Sequence, residues 1–342
     1  MKKVWALMLA AMLACLFTFS AVAEEEWTPQ GTIRIILGFS AGGGIDVMCR
    51  TAAPALGEYL GCDVIVENMP GASSGIATDY VLGEEANGMT ILGTSSSMCA
   101  FSTTENSDNS YLQLDMLAMP FVVRNTGVVV NAKLGINTME EFIDYVTTHN
   151  TTASTAGVGS MWHIPAAELA ADLGCSDKVT FVPYDSGQKT ALAVAQGEVD
   201  WSAIDAINAG EYMRQGLCKM LCVFSTEAYD DPEFGHMPAV IDYVPQMGEL
   251  ADVIGGWRGF AVSNQTPENI KAKLTEAFEY VVGTEEFTTL LMNNNMNLED
   301  VAYGEDAQRI FEMSSRISSY LLYDLGDGTR DPAEVGVLRW GE

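Results

Sequence analysis

The run Ile33-Arg34-Ile35-Ile36-Leu37 gives way through Gly38-Phe39-Ser40-Ala41 to three consecutive glycines, Gly42, Gly43 and Gly44. An apolar-periodic segment from Ile45 to Leu60 follows at once. The β-branched run predicts a buried strand, and the apolar residues at 48, 49, 52, 53, 56, 59 and 60 predict one buried helix face. Strand, glycine loop and helix in that order restrict the chain to an α/β unit. They also set bare backbone N–H groups at the positive end of a helix dipole, an arrangement that favours an anion. Pro54, inside the helical pattern, is a candidate kink.

The length of 342 residues allows two domains of ordinary size. Lys2 and Lys3, the apolar run Val4 to Phe19 and the small-residue site Ala21-Val22-Ala23 read as a signal peptide over residues 1–23, cleaved after Ala23. An uncleaved anchor and lipid attachment at Cys15 are the alternatives, although Met12-Leu13-Ala14-Cys15 is a poor lipobox. No later segment is apolar enough to span a membrane, so an extracytoplasmic protein is expected.

Without Lys2 and Lys3 the chain has 15 basic against 46 acidic residues, a net charge near −31. Nucleic acid and anionic membrane surfaces are therefore excluded as partners, since both require clustered Lys and Arg. Any anion site must act locally. Six cysteines remain after processing, at 49, 62, 99, 175, 218 and 222. Cys218 and Cys222 fall on one predicted strand, where four residues span about 13 Å, too far for a bridge. Buried thiols with at most one disulfide are expected. With no CxxC pair and only three histidines, the sequence calls for no metal and no cofactor.

Alternation continues along the chain. Strands are predicted at Asp63–Glu67, Thr90–Gly93, Thr152–Thr155, Val179–Val182, Val199–Ala203, Met220–Ser225 and Arg258–Val262. Phe121–Asn131 reads as one extended segment with a polar break at Arg124–Thr126. Helices are predicted at Ile76–Leu82, Thr138–Thr148, Ile164–Leu173, Gln188–Gln196, Pro267–Val282 and Asp306–Leu322. Thr138 with Glu141 has capping-box spacing. Loops 68–75, 94–97, 156–160 and 183–187 are rich in Gly and Ser, and ligands of open α/β sheets bind where such loops gather. Two groups of them suggest two lobes facing one cleft.

Several segments resemble the substrate-binding receptors of tripartite tricarboxylate transporters. Gly42-Gly43-Gly44-Ile45-Asp46 with Arg50 is similar to their GG-x-x-D-x-x-x-R signature, and Val66-Glu67-Asn68-Met69-Pro70-Gly71-Ala72 to V-x-N-x-P-G-A. Gly157-Val158-Gly159-Ser160 with His163 resembles G-x-G-S-x-x-H. Val182-Pro183-Tyr184 with Gly187, Gly197-Glu198-Val199-Asp200, and Gly256-Trp257-Arg258-Gly259 before Thr266-Pro267 follow in family order. The resemblance implies a type II periplasmic-binding-protein fold, two α/β lobes joined by strands crossing near Val123–Val128 and Gly255–Val262. Residues 27–124 and 255–342 would form the first lobe and 125–254 the second. It further implies a monomeric receptor that passes a small carboxylate to membrane permease subunits. The ligand would be a di- or tricarboxylate, an acidic amino acid or an aromatic acid, held by backbone amides and water rather than by an arginine clamp.

The ligand-contact candidates are Phe39, Ser40, Ala41, Gly42 and Gly43 on the first loop. Ser73, Ser74, Ser95 and Ser96 could add hydroxyls. Gly157, Val158, Gly159, Ser160, His163 and Tyr184 would meet the ligand from the second lobe. Asp46 at the helix N-terminus steadies the loop, since contact with an anion would need an intervening donor. Asp205 lies one position beyond the family's second acidic residue, where this chain has Ile204. Tight turns, caps and core packing are the competing readings for each.

Two other functions fit parts of the pattern. A binding protein could serve another carrier or a sensor kinase. Gly71-Ala72-Ser73-Ser74-Gly75 also fits the G-x-S-x-G elbow of serine hydrolases. The elbow needs its serine directly after a strand, yet Met69 and Pro70 intervene, and the last histidine, His236, lies far from the C-terminus. The chain is read as a receptor and not as an enzyme.

Overall fold

A computed structural model describes residues 27–339 apart from 72–73, 100–102, 104–108, 124, 158, 185, 249, 254–255, 295, 297, 325, 327 and 329. The expected signal peptide, residues 1–23, and Cys15 lie outside the described residues.

The first half of the chain alternates β1 (Ile33–Leu37), α1 (Gly44–Leu60), β2 (Val64–Asn68), α2 (Gly75–Gly83) and β3 (Thr90–Ser95), then runs through β4 (Leu114–Val122). Ile33, Ile35, Ile36 and Leu37 are all fully buried, as expected of a parallel strand covered on both faces. α1 continues through Pro54 and ends at Gly61, whose φ of 70° closes the helix in the left-handed conformation.

A second group follows: β5 (Thr126–Asn131), α3 (Met139–Thr148), β6 (Thr151–Thr155), α4 (His163–Asp172), β7 (Val179–Pro183), α5 (Gly187–Gln196), β8 (Trp201–Asp205), α6 (Ala206–Arg214) and β9 (Cys218–Val223). A short hairpin, β10 (Tyr229–Asp231) with β11 (Gly235–Met237), precedes α7 (Leu250–Val253). The chain ends with β12 (Trp257–Ser263), α8 (Glu268–Val282), α9 (Glu285–Asn293), β13 (Ala302–Tyr303) and α10 (Gly304–Asp324).

The strands form two larger sheets, ordered β13-β4-β12-β3-β1-β2 and β7-β6-β8-β5-β9. β1 pairs in parallel with β2 and β3, whereas β12 runs antiparallel between β3 and β4. In the second sheet β6 is parallel to β7 and β8, and β5 is antiparallel to β8 and β9. The segment expected as one extended run, Phe121–Asn131, is thus divided between the sheets. Its polar break is the crossing itself, and Val123 N–H bonds the carbonyl of Gly256 on the returning chain at 2.9 Å.

The sequence reading missed α6, α7, α9, β13 and the hairpin, all of them short. All six described cysteines are free thiols, five of them buried. The core of the first sheet includes Phe260 stacked on Phe278 at 4.3 Å. Trp257 donates its indole N–H to Ser314 on α10 at 2.9 Å and meets Phe311 edge-on. Farther along α10, Leu322 packs into the second sheet's core with Leu169 of α4, so this helix binds both lobes.

Carboxylates collect at that junction. Burial pushes the Glu168 carboxyl from its ordinary 4.5 up to about 7, with Asp172 and Asp324 adding repulsion. Arg339 pairs with Asp324 at 2.8 Å. Because the folded protein holds this proton more tightly than the unfolded chain, stability declines as pH rises from about 4.5 to about 7. Glu168→Gln should therefore raise stability at pH 8 by about 2 kcal/mol, discounted for partial exposure, and leave it unchanged at pH 4. Chemical denaturation at the two pH values measures the difference, and an equal effect at both would refute the assignment.

Candidate ligand-binding site

A cavity of about 370 Å³ lies where the loops of the two sheets converge. The first lobe lines it with Phe39, Gly43, Gly44, Ile45, Ser95 and Arg258, the second with Ala156, Gly159, Ser160, Met161, Trp162, Ser186 and Gly187. Larger grooves, of about 670 and 730 Å³, run between helices of the first lobe and draw no residue from the second.

Gly43 is the N-cap of α1 and makes no side-chain cap, so the first-turn amides of Gly44, Ile45 and Asp46 receive no acceptor from the preceding residue. Side-chain caps close several other helices, with Thr138 on α3, Asp205 on α6 and Thr284 on α9 each accepting a backbone N–H, whereas α2 and α8 lack one. α4, whose N-cap is Trp162 in the cavity wall, also lacks a side-chain cap. Its first-turn amides are nonetheless taken, His163 N–H and Ile164 N–H both bonding Ser160, so the open helix N-terminus at this cavity is that of α1.

The loop before α1 is held by a network facing away from the cavity. Asp46 accepts from Gly42 N–H at 2.9 Å, from Arg50 Nε at 3.0 Å and from Asn68 Nδ2 at 2.9 Å. Asn68 also donates to the carbonyl of Phe39. Burial alone would raise the Asp46 pKa, but the Arg50, Gly42 and Asn68 hydrogen bonds bring it down to about 2. Asp46 is a loop fastener. Gly42, with φ +83°, needs the glycine backbone to turn its N–H toward that carboxylate.

The second-lobe loop is fastened the same way. Gly159 N–H donates to His163 Nδ1 at 3.2 Å, and the His163 ring is buried edge-on to Phe181. Ser160 N–H bonds the Gly157 carbonyl, and Ser160 Oγ accepts from His163 N–H at 3.2 Å. The Ser160 hydroxyl proton remains available to an acceptor in the cavity.

Of the expected contacts, the cavity gathers Phe39, Gly43, Ser95, Gly159 and Ser160. Ser73 and Val158 lie outside the described residues. The remaining ones stand elsewhere. Ser40 and Ala41 are exposed on the loop, and Gly157 sits behind Ser160. Ser74 is fully buried at φ +78°, pressed against Gly38 so closely that a side chain there would collide with it. Ser96 Oγ accepts from Trp257 N–H at 3.4 Å, and Tyr184 donates its hydroxyl to Glu198 at 3.2 Å. Asp205 caps α6 through Asn208 N–H and accepts the Trp162 indole N–H at 3.0 Å. It positions Trp162 in the wall and does not line the cavity.

Sequence reasoning missed Trp162, Met161 and above all Arg258. The resemblance implied a site without an arginine, yet the Arg258 guanidinium lines the cavity beside α1. A Cβ on Gly44 would lie 3.0 Å from its central carbon. The carbon is 5.5 Å from the Phe121 ring centroid. Burial depresses the Arg258 pKa and the nearby Asp205 charge raises it, but a guanidinium stays protonated.

This fold and cleft define a two-lobed solute-binding protein of the periplasmic type. The chain belongs to the tripartite tricarboxylate transporter receptor family, whose profile it matches over residues 48–320. It is 25% identical over 324 residues to a UPF0065 protein of Bordetella pertussis, covering 92% of this chain and 96% of that one. A TctC solute-binding protein from Polaromonas superposes with TM-score 0.73 at 24% identity, covering 86% of this chain and 99% of the other. MatC of Rhodopseudomonas palustris, solved with bound malate, superposes with TM-score 0.64 at 21% identity, covering 87% and 99%.

Proposed function

We propose that the protein is an extracytoplasmic receptor that closes on a small carboxylate and delivers it to a tripartite tricarboxylate-type permease, acting as a monomer and without catalysis. The observation that carries this reading is the uncapped N-terminus of α1 opening on the interlobe cavity. First-turn amides and the helix dipole stabilise an anion there, while Phe39, Ile45, Met161 and Trp162 offer apolar surface to its carbon skeleton. The malate bound to MatC supports a carboxylate as ligand. Release from the membrane follows cleavage after Ala23, and lobe closure turns on the crossing strands.

Two features weigh against the hydrolase reading. His163 is committed to Gly159, and His236 is exposed beside Asp230 at 2.7 Å. The reading is tested by thermal unfolding of the mature protein against di- and tricarboxylates, aromatic acids and amino acids. A matching carboxylate at a thousand times its Kd should stabilise the protein by about 4 kcal/mol. If no carboxylate raises the melting temperature, the receptor assignment is wrong.

A further inference from the structure

Arg258 stands out among the partly buried cations once each is traced to its partner. Lys271 is paired with Asp115 and Glu268, Arg34 with Glu67, and Asp46 with Arg50. The Arg258 guanidinium is partly buried and lines the cavity. No hydrogen bond or ion pair reaches it from the described residues. It lies over the Phe121 face and near the start of α1 at Gly44. Asp205, which acts on it at a distance, is already saturated by Trp162 and Asn208.

A partly desolvated cation without a hydrogen-bonded counter-charge is costly, and here it stands against a second positive feature, the N-terminal turn of α1. Nothing in that arrangement favours the empty cavity. One planar carboxylate placed there answers both: its two oxygens match the guanidinium fork, and the same group caps the α1 amides. Glycine at 44 is what lets the fork lie flat against the helix end, since any side chain would press on it at 3.0 Å.

Resting on the receptor reading above, we propose that Arg258 is the ligand's principal carboxylate anchor. It makes a charge-assisted bidentate pair at the mouth of α1, so that recognition depends on a full ionic contact and not on backbone amides alone. Strand pairing aims it: Arg258 lies opposite Ser95 on β3 and Phe121 on β4, which fixes its face of the sheet. The resulting specificity is for a planar carboxylate over its neutral isostere at that end of the ligand.

The test pairs each residue change with a change in ligand charge. Succinate, malate, adipate and benzoate are titrated calorimetrically into the wild-type protein and R258M, alongside succinamide, malamide, adipamide and benzamide. In the wild type the best carboxylate should bind at least 100-fold more tightly than its amide. In R258M, which keeps much of the side-chain volume, that ratio should collapse below about fivefold. R258K should recover part of it, since a point charge replaces the fork. Gly44→Ala, which leaves the charge but displaces the guanidinium, should weaken carboxylate binding about tenfold and guards against misfolding of R258M. A carboxylate-to-amide ratio unchanged in both R258M and Gly44→Ala would overturn the anchor while leaving the receptor reading intact. A wild-type protein that binds no carboxylate would overturn both.

Discussion

Gly43→Asp should abolish ligand binding while leaving the fold as stable as before, or slightly more so. Gly43 has φ −77° and ψ 167°, a conformation open to any residue, and the nearest atom to an added Cβ is the Ser40 carbonyl oxygen at 3.5 Å. It is also the N-cap of α1, where Asp is a preferred residue and glycine is worth a few tenths of a kcal/mol less. The new carboxylate would cap the amides that the ligand needs. It would also repel a ligand carboxylate about 4 Å away by roughly 4 kcal/mol at an effective dielectric of 20, about a thousand-fold in affinity. Gly43→Ala, with bulk but no acceptor, should stay within about tenfold of wild type. Calorimetric titration and a melting curve decide the matter together. Loss of binding accompanied by loss of structure would mean that Gly43 serves the turn and not the ligand.

Phe260→Ala should cost about 4 kcal/mol of stability, the usual toll of emptying a fully packed aromatic site. Phe260 is wholly buried on β12 and stacked on Phe278 of α8 at 4.3 Å and 20° between planes. For a chain of this length that loss should lower the melting temperature by about 6 °C. The effect on ligand affinity should be smaller than that of Gly43→Asp, because Phe260 does not line the cavity. A drop of less than about 1 kcal/mol would show that the β12–α8 layer can collapse around the gap.

Local chemistry made most of the fold legible. β1 and α1 follow from a β-branched run and a 3.6-residue apolar period, and both are present. Thr138 caps α3 as expected through Glu141 N–H, although the Glu141 carboxylate reaches Asn137 N–H and so closes the box one residue early. The weak places were those without a local signal. β4 begins at Leu114, ahead of the expected Phe121, because its buried pattern records contact with β12 and β13 and no alternation of its own.

The site was legible in outline only. The two glycine loops are signalled by composition, because absent side chains and helix starts are visible in a sequence. The division of labour inside them is not. Asp46, His163 and Asp205 all carry groups suited to a ligand, and all three are turned inward to hold Gly42, Gly159 and Trp162. A polar residue near a loop can face either way, and the choice depends on which partner lies within hydrogen-bonding reach. Asn68 is 22 residues from Asp46, and Trp162 is 43 from Asp205.

By itself, the sequence determined the alternation of strand, loop and helix and the strongly acidic balance of the chain. It also determined a backbone at Gly42–Gly44 free of side chains that would block an anion. These depend on neighbours along the chain. Only the tertiary structure decided which loops share a cavity and that Arg258 stands at the α1 N-terminus with no hydrogen bond or ion pair from the described residues. That placement comes from strand pairing across 163 residues, Arg258 opposite Ser95. The side of a sheet a residue faces is set by register and not by its own identity.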